Sequence, residues 1–111
     1  MNLNGKVFQV AATAPGGVVS SQTRLHLQQR GSRVLGRYSG GTIERGYLVG
    51  QVSGSLLYFR YAQREVDGHM HGGHSSCDLH YLPDGRLRLN EHFTWETRSG
   101  TGTNLFDEIP T

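Results

Sequence analysis

Eight short segments of alternating polar and apolar residues follow one another along this chain, and the turns between them leave almost no room for a helix. The 16 glycines punctuate these segments along the whole length. Short strands at regular spacing, with turn signals between them, are typical of all-β sandwiches and barrels. The sequence therefore predicts an all-β fold, an eight-stranded antiparallel up-and-down barrel. A two-sheet sandwich is the alternative, because strand count does not separate the two.

The strands are predicted from the alternation, and the turns from Gly, Pro and Asp residues. Turns are expected at 14–17, at Gly40-Gly41 as a two-residue hairpin loop, and at Pro83-Asp84-Gly85. The predicted strands are residues 5–12, 18–30, 33–39, 42–52, 55–63, 70–82, 86–97 and 101–109.

The alternation also predicts which side chains point into the barrel. In the second strand, Ser21 and Leu25 share the face that we expect to point inward. In the fourth strand, the face of Gly46 and Leu48 is expected to point inward and the face of Ile43 outward. Glycines favour that choice because they let a tightly coiled strand bend.

Composition limits the class of protein. We expect one domain over residues 1–111, and the net charge of +2 comes without a run of Lys or Arg, which argues against a nucleic-acid partner. The single cysteine, Cys77, excludes an intramolecular disulfide. No apolar stretch approaches the roughly 20 residues of a membrane helix or has signal-peptide character. We therefore expect a soluble, cytoplasmic protein without a membrane partner.

Glu91 is the most unusual residue, because it lies on the apolar face of the clearest strand, between Leu89 and Phe93. A carboxylate there must be paired, hydrogen-bonded or neutral. One interpretation is a polar anchor in a ligand cavity. The other is a structural carboxylate bonded to a Tyr, an Arg or a backbone group, since buried polar groups are usually satisfied internally. The predicted ligand-binding residues are Tyr38, Tyr61, Glu91, Phe93 and Trp95.

Three segments resemble the small calycin-like barrels of the avidin and lipocalin group. They are Gly-Arg-Tyr-Ser-Gly-Gly at 36–41, Gly-Tyr-Leu-Val-Gly at 46–50, and the run from Leu-Pro-Asp-Gly to Thr-Trp-Glu at 82–96. The resemblance covers nearly the whole chain and implies a closed barrel. Biotin binding is not implied, because the biotin-site residues of avidin do not occur in matching order.

The chain also resembles small bacterial proteins of similar length that carry the label N-acetylglutamate synthase. That label implies acetyl transfer, which the residues do not support. Acetyl-coenzyme A enzymes bind phosphate with a loop that feeds a helix N-terminus. That loop has the pattern Arg/Gln-x-x-Gly-x-Gly/Ala. The nearest match here is residues 28–33, which end in Arg33 instead of Gly or Ala and lie between two predicted strands, so no helix follows them.

A histidine-rich segment is the second candidate for chemistry. His69 and His71 would share a strand face, a spacing that can chelate Zn, Ni or Cu, and His74 follows closely. Gly72-Gly73, however, predicts a loop or a bulge, in which histidines are solvated. We therefore predict no metal and no other cofactor.

These observations leave three functions open. The leading one is non-catalytic binding of a small, partly apolar ligand; the alternatives are a structural or interaction module with a filled barrel, and a metal-dependent enzyme using His69–His74. Cys77 lacks a base on its own strand face, so an enzyme is the less favoured reading. Leu56, Tyr58 and Arg60 on the outer face of the fifth strand suggest self-association, as a homodimer.

Overall fold

The computed structural model describes residues 1–15 and 17–110, and its eight strands close into one antiparallel barrel. Each strand pairs with the next along the chain, and the last pairs with the first, which confirms the barrel over the sandwich. The described residues contain no helix long and apolar enough to cross a membrane. The strands are β1 (Val7–Thr13), β2 (Arg24–Arg30), β3 (Arg33–Gly40), β4 (Ile43–Ser53), β5 (Leu56–Glu65), β6 (Met70–Tyr81), β7 (Leu87–Trp95) and β8 (Thr101–Glu108).

The connection between β1 and β2 is longer than predicted. The second strand was expected from Val18 but begins at Arg24, and Ser21 is exposed rather than inward-facing. The reason is a local turn, in which the Ser20 N–H donates to Thr23 Oγ1 at 3.0 Å and the Thr23 N–H to Ser20 O at 2.9 Å. Of the predicted 14–17 turn, Gly16 lies outside the described residues. We call residues 17–20 the covering segment.

A bulge at the start of β4 overturns one assignment. Ile43 was predicted to point outward but is only 2% exposed, because the register with β5 shifts between Ile43 and Arg45. One extra residue in a strand reverses the face of the sheet to which every side chain before it points. The rest of the strand follows the prediction, with Leu48 buried on the inner face. The preceding turn is at 41–42, one residue later than expected.

Gly72 and Gly73 form neither a loop nor a bulge. Both lie in β6 and pair in regular register, Gly72 with Ala62 and Gly73 with Tyr61. A Cβ at Gly73 would meet the Thr94 carbonyl and would lie 2.7 Å from the Tyr61 hydroxyl. These glycines therefore allow close packing against neighbouring strands, which the sequence pattern alone did not distinguish from a chain break.

The two ends of the barrel are built differently. At one end, with the connections at 31–32, 54–55 and 82–86, Leu3 is fully buried and its N–H donates to Gln29 Oε1 at 2.8 Å. We call this the plugged end. The other end carries the connections at 14–23, 41–42, 66–69 and 96–100, and the covering segment packs its valines against the core there. We call it the cavity end.

Candidate functional site

An interior cavity of about 40 Å³ lies toward the cavity end of the barrel. By the same measure a single water needs at least about 10–15 Å³, so the space accepts a few non-hydrogen atoms without any movement of the protein. The covering segment borders it through Val18 and Val19. All five residues predicted from the sequence lie on its wall: Tyr38, Tyr61, Glu91, Phe93 and Trp95.

Sequence reasoning did not assign the remaining wall residues to the site, although it predicted that Leu25 and Leu48 among them point into the barrel. Cys77 and Asn104 could have been found, because alternation along β6 and β8 points both inward. Val18 and Val19 could not, because the segment was predicted to be strand. The missed wall residues are Gly17, Val18, Val19, Leu25, Leu48, Phe59, Gln63, Cys77, Leu89, Asn104 and Phe106.

Glu91 is 7% exposed and is held by hydrogen bonds from the two neighbouring strands. Ser75 Oγ donates to Oε2 at 2.7 Å, and Asn104 Nδ2 donates to Oε1 at 2.9 Å. The partners are thus a hydroxyl and an amide, and not the Tyr, Arg or backbone group expected. Burial raises the pKa of Glu91, and the hydrogen bonds from Asn104 and Ser75 oppose that rise. Within the described residues no Lys, Arg or His pairs with this carboxyl group.

The Asn104 amide is fixed by a further hydrogen bond at the end of β1. Thr13 Oγ1 donates to Asn104 Oδ1 at 2.6 Å, which leaves the amide NH₂ pointing to Glu91. This orientation makes Asn104 a donor toward the carboxyl group rather than an acceptor. The carboxyl group therefore sits in a preorganised polar corner of an otherwise apolar wall.

A second polar chain crosses the cavity end. The Tyr38 hydroxyl donates to Gln63 Oε1 at 2.9 Å, and Gln63 Nε2 donates to Glu65 Oε2 at 2.9 Å. Arg98 Nη2 donates to the same Glu65 oxygen at 2.7 Å, and its guanidinium carbon lies 4.6 Å from the centre of the Trp95 ring. The charges of Glu65 and Arg98 thus neutralise each other at the cavity end.

Aromatic rings form part of the cavity wall. Trp95 packs edge-to-face against Tyr61 at 5.4 Å and Phe93 at 5.9 Å between ring centres. Burial raises the pKa values of Tyr38 and Tyr61, so both hydroxyls stay protonated at neutral pH. Trp95 is 8% exposed, and its Nε1 is a buried donor without an acceptor among the described residues. A buried unsatisfied donor costs about 1–3 kcal/mol.

The histidines do not converge. His69 lies 3.0 Å from an Asp67 oxygen, and His74 Nδ1 lies 2.8 Å from Glu96 Oε1. His71 Nδ1 lies 2.8 Å from Thr97 Oγ1. No group of three or more His, Cys, Asp or Glu residues within the described chain could hold a metal ion. The expected absence of a metal stays a prediction.

A larger groove of about 380 Å³ lies on the outer wall, bordered by Lys6, His26, Arg37 and Tyr47. Its polar and apolar linings are nearly balanced, and Tyr47 is exposed to solvent. Ligand sites are usually concave and mostly apolar with a few placed polar groups. The interior cavity has that character, and the outer groove does not.

The outer faces of β3, β4 and β5 carry a row of exposed apolar side chains. Val49 is 63% exposed and stands directly across from Leu35 on one side and Arg60 on the other. We call the row the outer patch; its members are Leu35, Tyr47, Val49, Leu56 and Tyr58.

Comparison with known proteins adds one finding. A family model described as Avidin-like protein matches residues 1–109. No curated protein and no solved structure matches the chain.

Proposed function

The chain belongs to the avidin-like family, and from that premise we propose that its barrel binds a small, partly apolar molecule at the cavity end without transforming it. Eight-stranded barrels have interiors that side chains either fill or leave open for one small ligand. Here the plugged end is filled, while the cavity end keeps a space beside a fixed carboxyl group.

The observation that carries the proposal is the indole N–H of Trp95. It is a buried donor on the wall of an apolar cavity, and it has no acceptor among the described residues. Unpaired buried polar groups are rare in proteins and call for a functional explanation. A ligand oxygen or nitrogen that accepts from Nε1 would supply the missing hydrogen bond, which a purely structural barrel would not need.

The alternative functions have less support from the geometry. A filled-barrel module would not need a space bordered by Glu91 and six aromatic residues. A metal-dependent enzyme would need histidines that converge, and His69, His71 and His74 each contact a different partner.

The chain provides a built-in reporter for a binding test, since Trp95 is its single tryptophan and lines the cavity. A set of small amines, alcohols and amides titrated against Trp95 fluorescence should yield at least one saturable binder. Native mass spectrometry of the freshly purified protein would show any bound species directly.

A size series at Cys77 makes the test specific for the interior. Cys77 is buried on the cavity wall, so Cys77→Met should fill the space and abolish the fluorescence response, while Cys77→Ser keeps the size and should preserve it. Equal responses in the two variants would place the ligand outside the barrel. No response from any compound in the folded wild type would support the filled-barrel module instead.

We also propose that the chain self-associates through the outer patch. Five exposed apolar side chains lie on three adjacent strands, and Leu56, Tyr58 and Arg60 lie on one of these strands. Exposed apolar surface rimmed by polar groups marks interaction sites, and one surface patch that meets its own copy gives a twofold dimer.

A further inference from the structure

We infer that the ligand of the interior site is a small organic cation whose ammonium head contacts Glu91. This inference rests on the proposed interior binding and adds the chemical class of the ligand, which is an ammonium group for Glu91 in a molecule whose acceptor atom meets Trp95 Nε1. The carrying observation is a buried carboxyl group, bordered by aromatic rings, that lacks a cation among the described residues.

The charge balance of the cavity is one-sided. Of the wall residues in the described part of the chain, Glu91 is the only acidic one, and none is Lys, Arg or His. The nearby Glu65 carboxylate already has Arg98 as its partner. Burying an ionised carboxylate without a counter-charge is very unfavourable, so a ligand that brings a positive charge gains more here than a neutral one of the same shape.

The carboxyl group also has unused acceptor capacity. Each oxygen accepts one hydrogen bond, from Ser75 or from Asn104. An ionised carboxylate offers about four acceptor sites, so room for N⁺–H donors remains. Hydrogen bonds between charged partners are roughly twice as strong as neutral ones.

The aromatic wall suits the same ligand class. A cation within about 6 Å of a ring centre is attracted by the face of the ring, and Trp is the strongest partner. Arg98 already occupies such a position over Trp95, so a ligand cation at Glu91 would face the rings of Tyr61 and Phe93 instead. The rings of Tyr61 and Phe93 stand edge-to-face to Trp95 and enlarge the surface that an alkylammonium chain would contact.

The ionisation of the site predicts a pH dependence that a neutral ligand would lack. Facing Glu91 are Cys77 from β6, Tyr38 from β3 and Tyr61 from β5, and burial raises the pKa of each, so all three stay neutral at physiological pH. Glu65 is held in its pair with Arg98, and His92 lies on the outer face of β7. Over the acidic to neutral range, the charge of the cavity therefore changes only through Glu91.

The experiment compares 3-hydroxypropylammonium with 1-butanol by Trp95 fluorescence and calorimetry from pH 4 to 8. The two probes have similar shape and share a hydroxyl that can accept from Trp95 Nε1, and they differ only by an ammonium in place of a methyl group. An alkylammonium titrates near the lysine value of about 10.4, so the probe keeps its charge throughout. We expect at least tenfold preference for the cation at pH 8. Its affinity should fall about tenfold per pH unit below the raised pKa of Glu91, while the affinity of 1-butanol stays constant.

Glu91→Gln should reduce the cation preference to within about twofold, and Glu44→Gln, a change of an exposed glutamate, should leave it intact. Equal wild-type affinities for the two probes, a flat pH profile, or a preference that survives Glu91→Gln would overturn the inference. If 1-butanol alone bound, interior binding would stand and the cation class would fail; binding of neither probe would also overturn the cation class. Should Glu91→Gln not fold, the wild-type pH profile decides.

Discussion

The two ends of this barrel use the same eight strands for opposite purposes. At the plugged end, the side chains of Leu3, Phe8, Val34, Leu57 and Leu87 are fully buried and belong to the hydrophobic core. At the cavity end, the inward positions hold Tyr38, Gln63, Glu91, Trp95 and Asn104, which bury polar atoms.

The difference shows how a small barrel combines stability with a site. Apolar burial stabilises by roughly 25 cal/mol per Å², whereas a buried hydrogen bond contributes only about 1 kcal/mol net and a buried polar group without a partner destabilises the fold. A chain of this size needs one well-packed end to tolerate a carboxyl group and an unpaired indole donor at the other. Substitutions at the two ends are therefore expected to change different properties.

The largest loss of stability is expected at the plugged end. Leu3→Ala removes a fully buried side chain and leaves a cavity at the plugged end. The free energy of unfolding should therefore fall by about 2–4 kcal/mol. Urea denaturation measures the loss. Leu35→Ala, at an exposed position, is the control and should cost much less. A loss under about 1 kcal/mol for Leu3→Ala would show that the N-terminal residues do not close the barrel.

A smaller loss is expected at the cavity end, where hydrogen bonds rather than packing are at stake. Glu91→Leu leaves the Ser75 hydroxyl and the Asn104 amide without their acceptor and should cost about 1–3 kcal/mol. Glu91→Gln keeps the size and one acceptor oxygen and should cost less than about 1 kcal/mol. Denaturation curves of the pair at pH 5 provide the measurement. Binding of any interior ligand should weaken in both variants. Wild-type stability in both would mean that Glu91 does not hold these donors.

The two ends should respond to pH with opposite signs. At the plugged end, Arg88 contacts Asp107 at 2.7 and 2.9 Å and lowers its pKa. A lowered folded-state pKa gives stability that is present above the unfolded value, near 3.9, and is lost as the pH falls through the folded value. Burial raises the pKa of Glu91, so its contribution is full below about 4.3 and is lost as the pH rises through the folded value.

The variants separate these contributions. Arg88→Leu should cost about 1 kcal/mol at pH 7 and almost nothing near pH 2, where Asp107 is protonated. The free energy of unfolding of Glu91→Gln should increase relative to that of the wild type as the pH rises from 5 to 8, because only the wild type loses stability when Glu91 ionises. Thermal unfolding at each pH tests both expectations. Parallel stability curves for wild type and Glu91→Gln would show that Glu91 is ionised in the folded state at pH 5.

The same contrast explains what the sequence could predict. Alternation along β7 correctly placed Glu91, Phe93 and Trp95 on one inner face, because the period of two is strict in a regular strand. It could not anticipate the bulge that turns Ile43 inward, because a single inserted residue leaves no pattern of its own. Nor could it identify Asn104 as a partner of Glu91. That contact depends on the register between β7 and β8, which is set by the connection at 96–100, and alternation along a strand carries no information on the geometry of such a connection.

The last and smallest effect on stability is expected outside both ends. Val49→Lys changes a side chain that is 63% exposed, so the free energy of unfolding of the monomer should change by less than about 0.5 kcal/mol. The new charge would stand beside Arg60, and a twofold contact would bring two copies of it together. Sedimentation equilibrium should therefore show a dimer for the wild type and a monomer for Val49→Lys. Met70→Lys, at an exposed apolar position away from the outer patch, should remain dimeric. A monomeric wild type, or equal dissociation in both variants, would remove the outer patch as an interface and leave the interior site as the only proposed contact of this barrel with a partner.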